Sequence, residues 1–99
     1  MNSKEAFASA FKQIRISRRL TQEDFSDVSS RTYVSSLERA IKGPTLEKIN
    51  SLALTMEVHP LTLLTLTYLI EGKVSLPDQI FKLVTKELKE LNLSLTASA

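Results

Sequence analysis

The feature that most constrains this chain is its shortage of breakers: two glycines and three prolines in 99 residues. Between them, apolar residues recur every three or four positions and nowhere in sustained alternation. Strands need a period of two bounded by turn clusters, whereas helices need the 3.6-residue spacing seen here. The pattern predicts an all-α protein. A hydrophobic share of 42% is enough for one modest core, so a single compact unit is expected.

Six helical segments follow from periodicity and capping. The first, about Lys4 to Arg18, sets Phe7, Ala10, Phe11 and Ile14 on one stripe, with Lys12, Arg15 and Arg19 on another face. Thr21 caps a short second helix from Gln22 to about Asp27, with Glu23 and Asp24 in the first turn where the helix dipole favours acids, and Phe25 as its anchor. Ser29 and Ser30 offer the next cap, opening a third helix through Arg39. Its buried face carries Val34 and Leu37, and its outer side carries Arg31, Thr32, Ser35, Ser36 and Arg39.

Gly43-Pro44 marks a turn and Thr45 caps a fourth helix with the stripe Leu46, Ile49, Ala53, Met56. Pro60 suits the first position of a fifth helix that is apolar nearly all round, with Leu61, Leu64 and Tyr68 on one side and Leu63, Leu66 and Ile70 on another. One buried face is the rule for a peripheral helix, so the second wants another partner. Gly72 ends that helix. A sixth, about residues 77 to 91, lines Ile80, Val84, Leu88 and Leu91 against Lys82, Lys86 and Lys89. The closing LNLSLTASA carries no charge and is expected to fray.

Net charge is +2, unevenly spread: residues 1–48 hold nine Lys/Arg against six acids, and residues 49–99 hold four against five. A polyanion-facing front half and an ordinary solvated surface both fit that bias. The absence of cysteine excludes a disulfide framework, a thiolate nucleophile and Cys-ligated zinc. His59 is the only histidine and has no carboxylate cluster at ligand spacing, so it reads as the residue leading into a helix; no metal, cofactor or small-molecule ligand is expected. There is no nucleophile elbow around any serine and no glycine-rich phosphate loop, so an enzyme is not expected. MNSKEAFASAFKQIR lacks the apolar core of a signal peptide, and Leu61 to Ile70 is far shorter than the ~20 residues a bilayer demands. A cytoplasmic protein is the expectation.

The informative stretch is LTQEDFSDVSSRTYVSSLERAIKGPTLEKINSLA, residues 20 to 53. Leu20-Thr21-Gln22-Glu23-Asp24 opens one helix, Ser30-Arg31-Thr32-Tyr33-Val34-Ser35-Ser36-Leu37-Glu38-Arg39-Ala40 makes the next, and Pro44-Thr45-Leu46 starts a third. In this order, over roughly residues 7 to 66, the chain resembles the phage-repressor family of helix-turn-helix proteins (Cro/cI-like, the XRE family). The resemblance implies a compact five-helix repressor-type domain over residues 1–72, with the sixth helix and tail, 73–99, as an extension. It implies a transcriptional regulator that binds double-stranded DNA.

The physical requirement is that a helix entering the major groove reach base edges without bulky apolar obstruction, which Ser, Thr and Arg allow. The resemblance assigns Gln22 to a DNA phosphate, together with nearby backbone N–H groups. It places Ser30, Arg31, Thr32, Ser35 and Ser36 toward base edges or the adjoining backbone, with Arg31 suited to guanine and Thr32 to a thymine methyl. Arg39 and Lys42 match phosphate positions. Tyr33 reads equally as a DNA-backbone contact or as cover for the core edge. Arg15 and Glu38 are expected to form a buried ion pair between the first and third helices.

Two departures bear on geometry. The turn between Gln22 and Arg31 is shorter than usual in the family and holds Asp27-Val28-Ser29 in place of a glycine, and Ala40 replaces the glycine that usually follows the third helix. The left-handed cap is therefore expected to move toward Gly43. The fifth and sixth helices are expected to form a homodimer that selects a palindromic operator; a sixth helix folded back on the fifth within one chain is the other possibility. A protein-interaction module, an antitoxin or adaptor with secondary DNA binding, is the alternative function.

Overall fold

A computed structural model of the chain describes residues 2–72 and 75–93. These residues form five α-helices and one turn of 3₁₀ helix, with no strand: α1 (Ser3–Ser17), the 3₁₀ helix (Gln22–Phe25), α2 (Arg31–Glu38), α3 (Leu46–Thr55), α4 (Pro60–Glu71) and α5 (Pro77–Glu90). The all-α expectation is met. The proposed boundary after residue 72 meets residues 73 and 74, and most of the closing LNLSLTASA is residues 94–99; both lie outside the described residues.

The N-termini follow the capping residues. Asn2 Oδ1 accepts from the Glu5 N–H at 2.8 Å while Glu5 Oε1 accepts from the Asn2 N–H at 3.1 Å, a reciprocal box that opens α1. Ser30 Oγ caps α2 through the Tyr33 N–H, Thr45 Oγ1 caps α3 through the Lys48 N–H, and His59 Nδ1 caps α4 through the Leu61 N–H.

The C-termini do not follow the glycines. α1, α2 and α3 each end with a residue in the left-handed region that is not glycine: Arg19 at φ 59°, Ala40 at 57° and Glu57 at 58°. In each case the N–H of the next residue reaches back to close the helix: Leu20 to the Arg15 carbonyl, Ile41 to Ser36, Val58 to Ala53. All three closing residues are apolar, the usual companion of this motif. The left-handed cap after α2 thus stays on Ala40 and does not move to Gly43. Only α4 ends on glycine, Gly72 at φ 92°.

Phe11 lies at the centre of the core. Its ring stacks on Phe7 at 6.2 Å and meets Phe25 edge-on at 5.2 Å, and Ala10, Val34, Leu37, Ile49, Leu52, Met56 and Leu63 complete the cluster. Each large side chain removed from water there contributes about 1.5–3 kcal/mol. α1 packs most extensively against α4, while α2 rests on α1 and the 3₁₀ helix, and α3 meets α4 at 106°. In α3 and its C-cap the buried residues are Ile49, Leu52, Ala53 and Met56, and Leu46 is 70% exposed. The core-facing arc is rotated from the expected stripe: at 100° per residue Leu46 lies roughly 70° from its centre.

The 3₁₀ helix is shorter than the expected helix to Asp27. The Val28 and Ser29 N–H groups both return to the Phe25 carbonyl, closing the segment before the Ser30 cap. α5 lies apart from the rest. It packs on α4 alone among the described elements and buries no residue. The radius of gyration, 14.9 Å, exceeds the ~13 Å of a compact domain of about 100 residues, as a projecting helix requires. No single helix among the described residues is long and apolar enough to cross a membrane.

Candidate nucleic-acid interface

α2 owes its orientation to what lies beneath it. Val34 and Leu37 are fully buried, so the opposite side of this two-turn helix faces outward. Arg31, Thr32 and Arg39 are exposed and Ser35 and Ser36 half-buried, which places the five outer residues together on one polar, basic surface. Ser30 stands at its N-terminal edge, and Lys42 lies exposed in the loop that follows. Hydroxyl commitments limit what these side chains can still do: Ser36 Oγ donates to the Thr32 carbonyl at 2.9 Å, leaving its lone pairs, and Ser30 Oγ accepts the capping bond, leaving its proton.

Arg31 is not idle. Its Nη1 lies 3.0 Å from Glu23 Oε1, an ion pair between the 3₁₀ helix and the start of α2 in which both side chains are largely exposed. An exposed pair is worth no more than about 1 kcal/mol, so it orients Arg31 without locking it.

Beneath α2 the Arg15–Glu38 pair joins α1 to the end of the helix. Arg15 Nε meets Glu38 Oε2 at 2.5 Å and Arg15 Nη2 meets Oε1 at 2.9 Å, with only 12% and 5% of the side chains exposed. Arg15 Nη1 also donates to the Leu20 carbonyl at 2.8 Å, tying in the closing residue of α1. The hydrogen bond to Glu38 and its charge, against opposing desolvation, hold the Arg15 guanidinium above its ordinary pKa. The Arg15 guanidinium therefore keeps its charge at any physiological pH.

Gln22 turns toward the same pair. It is half-buried, and its Nε2 donates to Glu38 Oε1 at 3.2 Å, which leaves its second amide hydrogen and its carbonyl for other partners. Tyr33 is likewise half-buried and packs against the core, so it does cover the core edge. Its ring also lies 5.9 Å from Lys42 Nζ and 5.4 Å from Lys48 Nζ. Lys48 was not marked by any sequence motif.

Among the described residues no group of three His, Cys, Asp or Glu side chains could hold a metal ion. Residues 11–63, just over half of the chain, match a family model described as helix-turn-helix. No curated protein and no solved structure matches the chain.

Proposed function

The chain belongs to the XRE family of helix-turn-helix regulators, which bind DNA and regulate transcription, and on that premise we propose that it acts as a homodimer on a palindromic operator, with α2 in the major groove. The observation that carries this reading is the outer face of α2, where Arg31, Thr32, Ser35, Ser36 and Arg39 lie together without an apolar side chain among them. Arg31 reads guanine, Thr32 a neighbouring base, and Ser30, Ser35 and Ser36 the base edges or adjoining backbone. Gln22, Tyr33, Arg39 and Lys42 hold phosphates and fix the register.

Support for the dimer comes from α5 and the outer side of α4. Phe81, Val84, Leu88 and Leu91 recur at a 3-4-3 spacing and are each between 39% and 63% exposed, and Leu61 and Tyr68 of α4 are at least half exposed. A two-fold pairing over these helices sets two copies of α2 about one DNA turn (~34 Å) apart. Bound there, the dimer occludes or recruits polymerase. The same stripe, and an apolar groove of about 480 Å³ where Leu66 and Leu69 of α4 face Phe81, favour a second reading in which a different protein docks on α5.

The test is selection of random duplex DNA by the purified protein, with salt-titrated binding of the enriched site. A palindrome is expected. Arg31→Ala should cost ~1–3 kcal/mol and relax preference at symmetric positions, and Lys42→Ala should flatten the salt dependence by about one phosphate. Sedimentation of wild type beside Leu88→Lys should show a dimer becoming a monomer. Binding that is weak and purely salt-dependent, with no enriched motif, would remove operator recognition as the primary function and leave the docking of another protein.

A further inference from the structure

The turn that aims α2 carries a backbone carbonyl that no helix satisfies. After the 3₁₀ helix the Val28 and Ser29 N–H groups are spent on the Phe25 carbonyl, and no backbone N–H among the described residues goes to the Val28 carbonyl. It is taken by Lys48 Nζ, 20 residues further on, at 2.6 Å. Lys48 is the third residue of α3, fixed at its base by the Thr45 cap, and is itself half-buried. Its ammonium also lies 5.4 Å from the Tyr33 ring centroid, within the range of a cation–π contact. One side chain thus ties three parts: the turn through Val28, the first turn of α2 through Tyr33, and α3 through its own backbone.

We infer that Lys48 is a positioning residue for DNA recognition, bracing the glycine-free turn so that α2 enters the groove at one angle. The physical case rests on what the turn lacks. Asp27-Val28-Ser29 contains no glycine to tighten the chain, and Ser29 Oγ is buried without a hydrogen-bond partner among the described residues, so the turn is poorly satisfied by itself. A short, charge-assisted bond to its carbonyl is the strong tie available. Lys42, the other cation near Tyr33, is exposed, as a phosphate contact needs to be, whereas Lys48 is half-buried with its ammonium on the Val28 carbonyl. The distinction matters because a misaimed recognition helix loses base readout while general attraction to phosphate persists.

This inference rests on the reading of α2 as the groove helix, and the experiment separates the two. Lys48→Met, Lys48→Arg and wild type are compared on the selected duplex and on a scrambled duplex of equal length, across a salt series, and by amide hydrogen exchange without DNA. Lys48→Met is expected to lower the selected-to-scrambled affinity ratio about tenfold with no change in the slope of log K against log salt, and to raise exchange at residues 33–38, whose N–H groups are hydrogen-bonded, while α1 is unaffected. Lys48→Arg should recover most of both, since a guanidinium can donate to the Val28 carbonyl and stack on Tyr33. A slope that falls by about 0.9 in Lys48→Met, with exchange unchanged, makes Lys48 a phosphate contact and overturns the inference. Unchanged exchange with an unchanged ratio overturns it as well. If wild type itself selects no site, the groove reading fails, and the exchange comparison alone decides whether Lys48 braces α2.

Discussion

Removing the Glu38 carboxylate is the sharpest test of how α2 is held. Glu38 accepts from Arg15 Nε at 2.5 Å, Arg15 Nη2 at 2.9 Å and Gln22 Nε2 at 3.2 Å, in a site where Arg15 is only 12% exposed. Glu38→Ala leaves that guanidinium with the Leu20 carbonyl and no counter-charge. Breaking a buried pair from one side costs about 3–5 kcal/mol, because the stranded charge cannot regain its water. For a chain of this length the whole folding free energy is about 5–15 kcal/mol. Urea unfolding followed by circular dichroism should therefore show a much lower midpoint at constant m-value, and the Tm should fall by at least ~12 °C.

Arg15 is held above its usual pKa, so its share of stability is complete below the ordinary arginine range and is lost only above it. On that account the deficit should be the same at pH 6 and pH 9. Replacing both partners, Arg15→Met with Glu38→Leu, should cost less than the two single changes together. A loss below about 1 kcal/mol for Glu38→Ala would equal that of a surface pair and would refute the claim that this contact sets α2 against α1.

Two further changes test the backbone and the turn. Ala40→Gly should stabilise the fold by a net ~0.5–1 kcal/mol, read as a higher urea midpoint, since relief of left-handed strain outweighs glycine's extra freedom in the unfolded chain; a decrease would show that Ala40 is unstrained at φ 57°. Ser29→Ala should be stabilising by about 1 kcal/mol in the same assay, because it deletes a buried hydroxyl that lacks a protein partner; a destabilisation would mean that the hydroxyl is bonded in solution.

The candidate site was legible in the sequence only in part. The composition of the α2 outer face was legible because it needs only one helix period and one buried pair, Val34 and Leu37. What those side chains are already doing was not. Gln22 leaning onto Glu38, Arg31 paired with Glu23 and Lys48 reaching Val28 each join residues 8 to 20 positions apart in sequence, across separate elements. No periodicity encodes such meetings.

Local physics, by itself, determined the helices and their beginnings. Apolar spacing selected α over β, and Ser30, Thr45 and Pro60 announced three N-termini, because a cap needs only residues within one turn. The tertiary structure decided where helices stop and how they are aimed. Arg19, Ala40 and Glu57 take left-handed conformations that their side chains disfavour, each followed by an apolar residue, Leu20, Ile41 or Val58, whose N–H closes the helix. Of these, Leu20 and Val58 pack against the core. At Arg19 and Glu57 the strain of ~1–2 kcal/mol is offset by core contacts that exist only once the chain has folded, which is why no local signal marks those two.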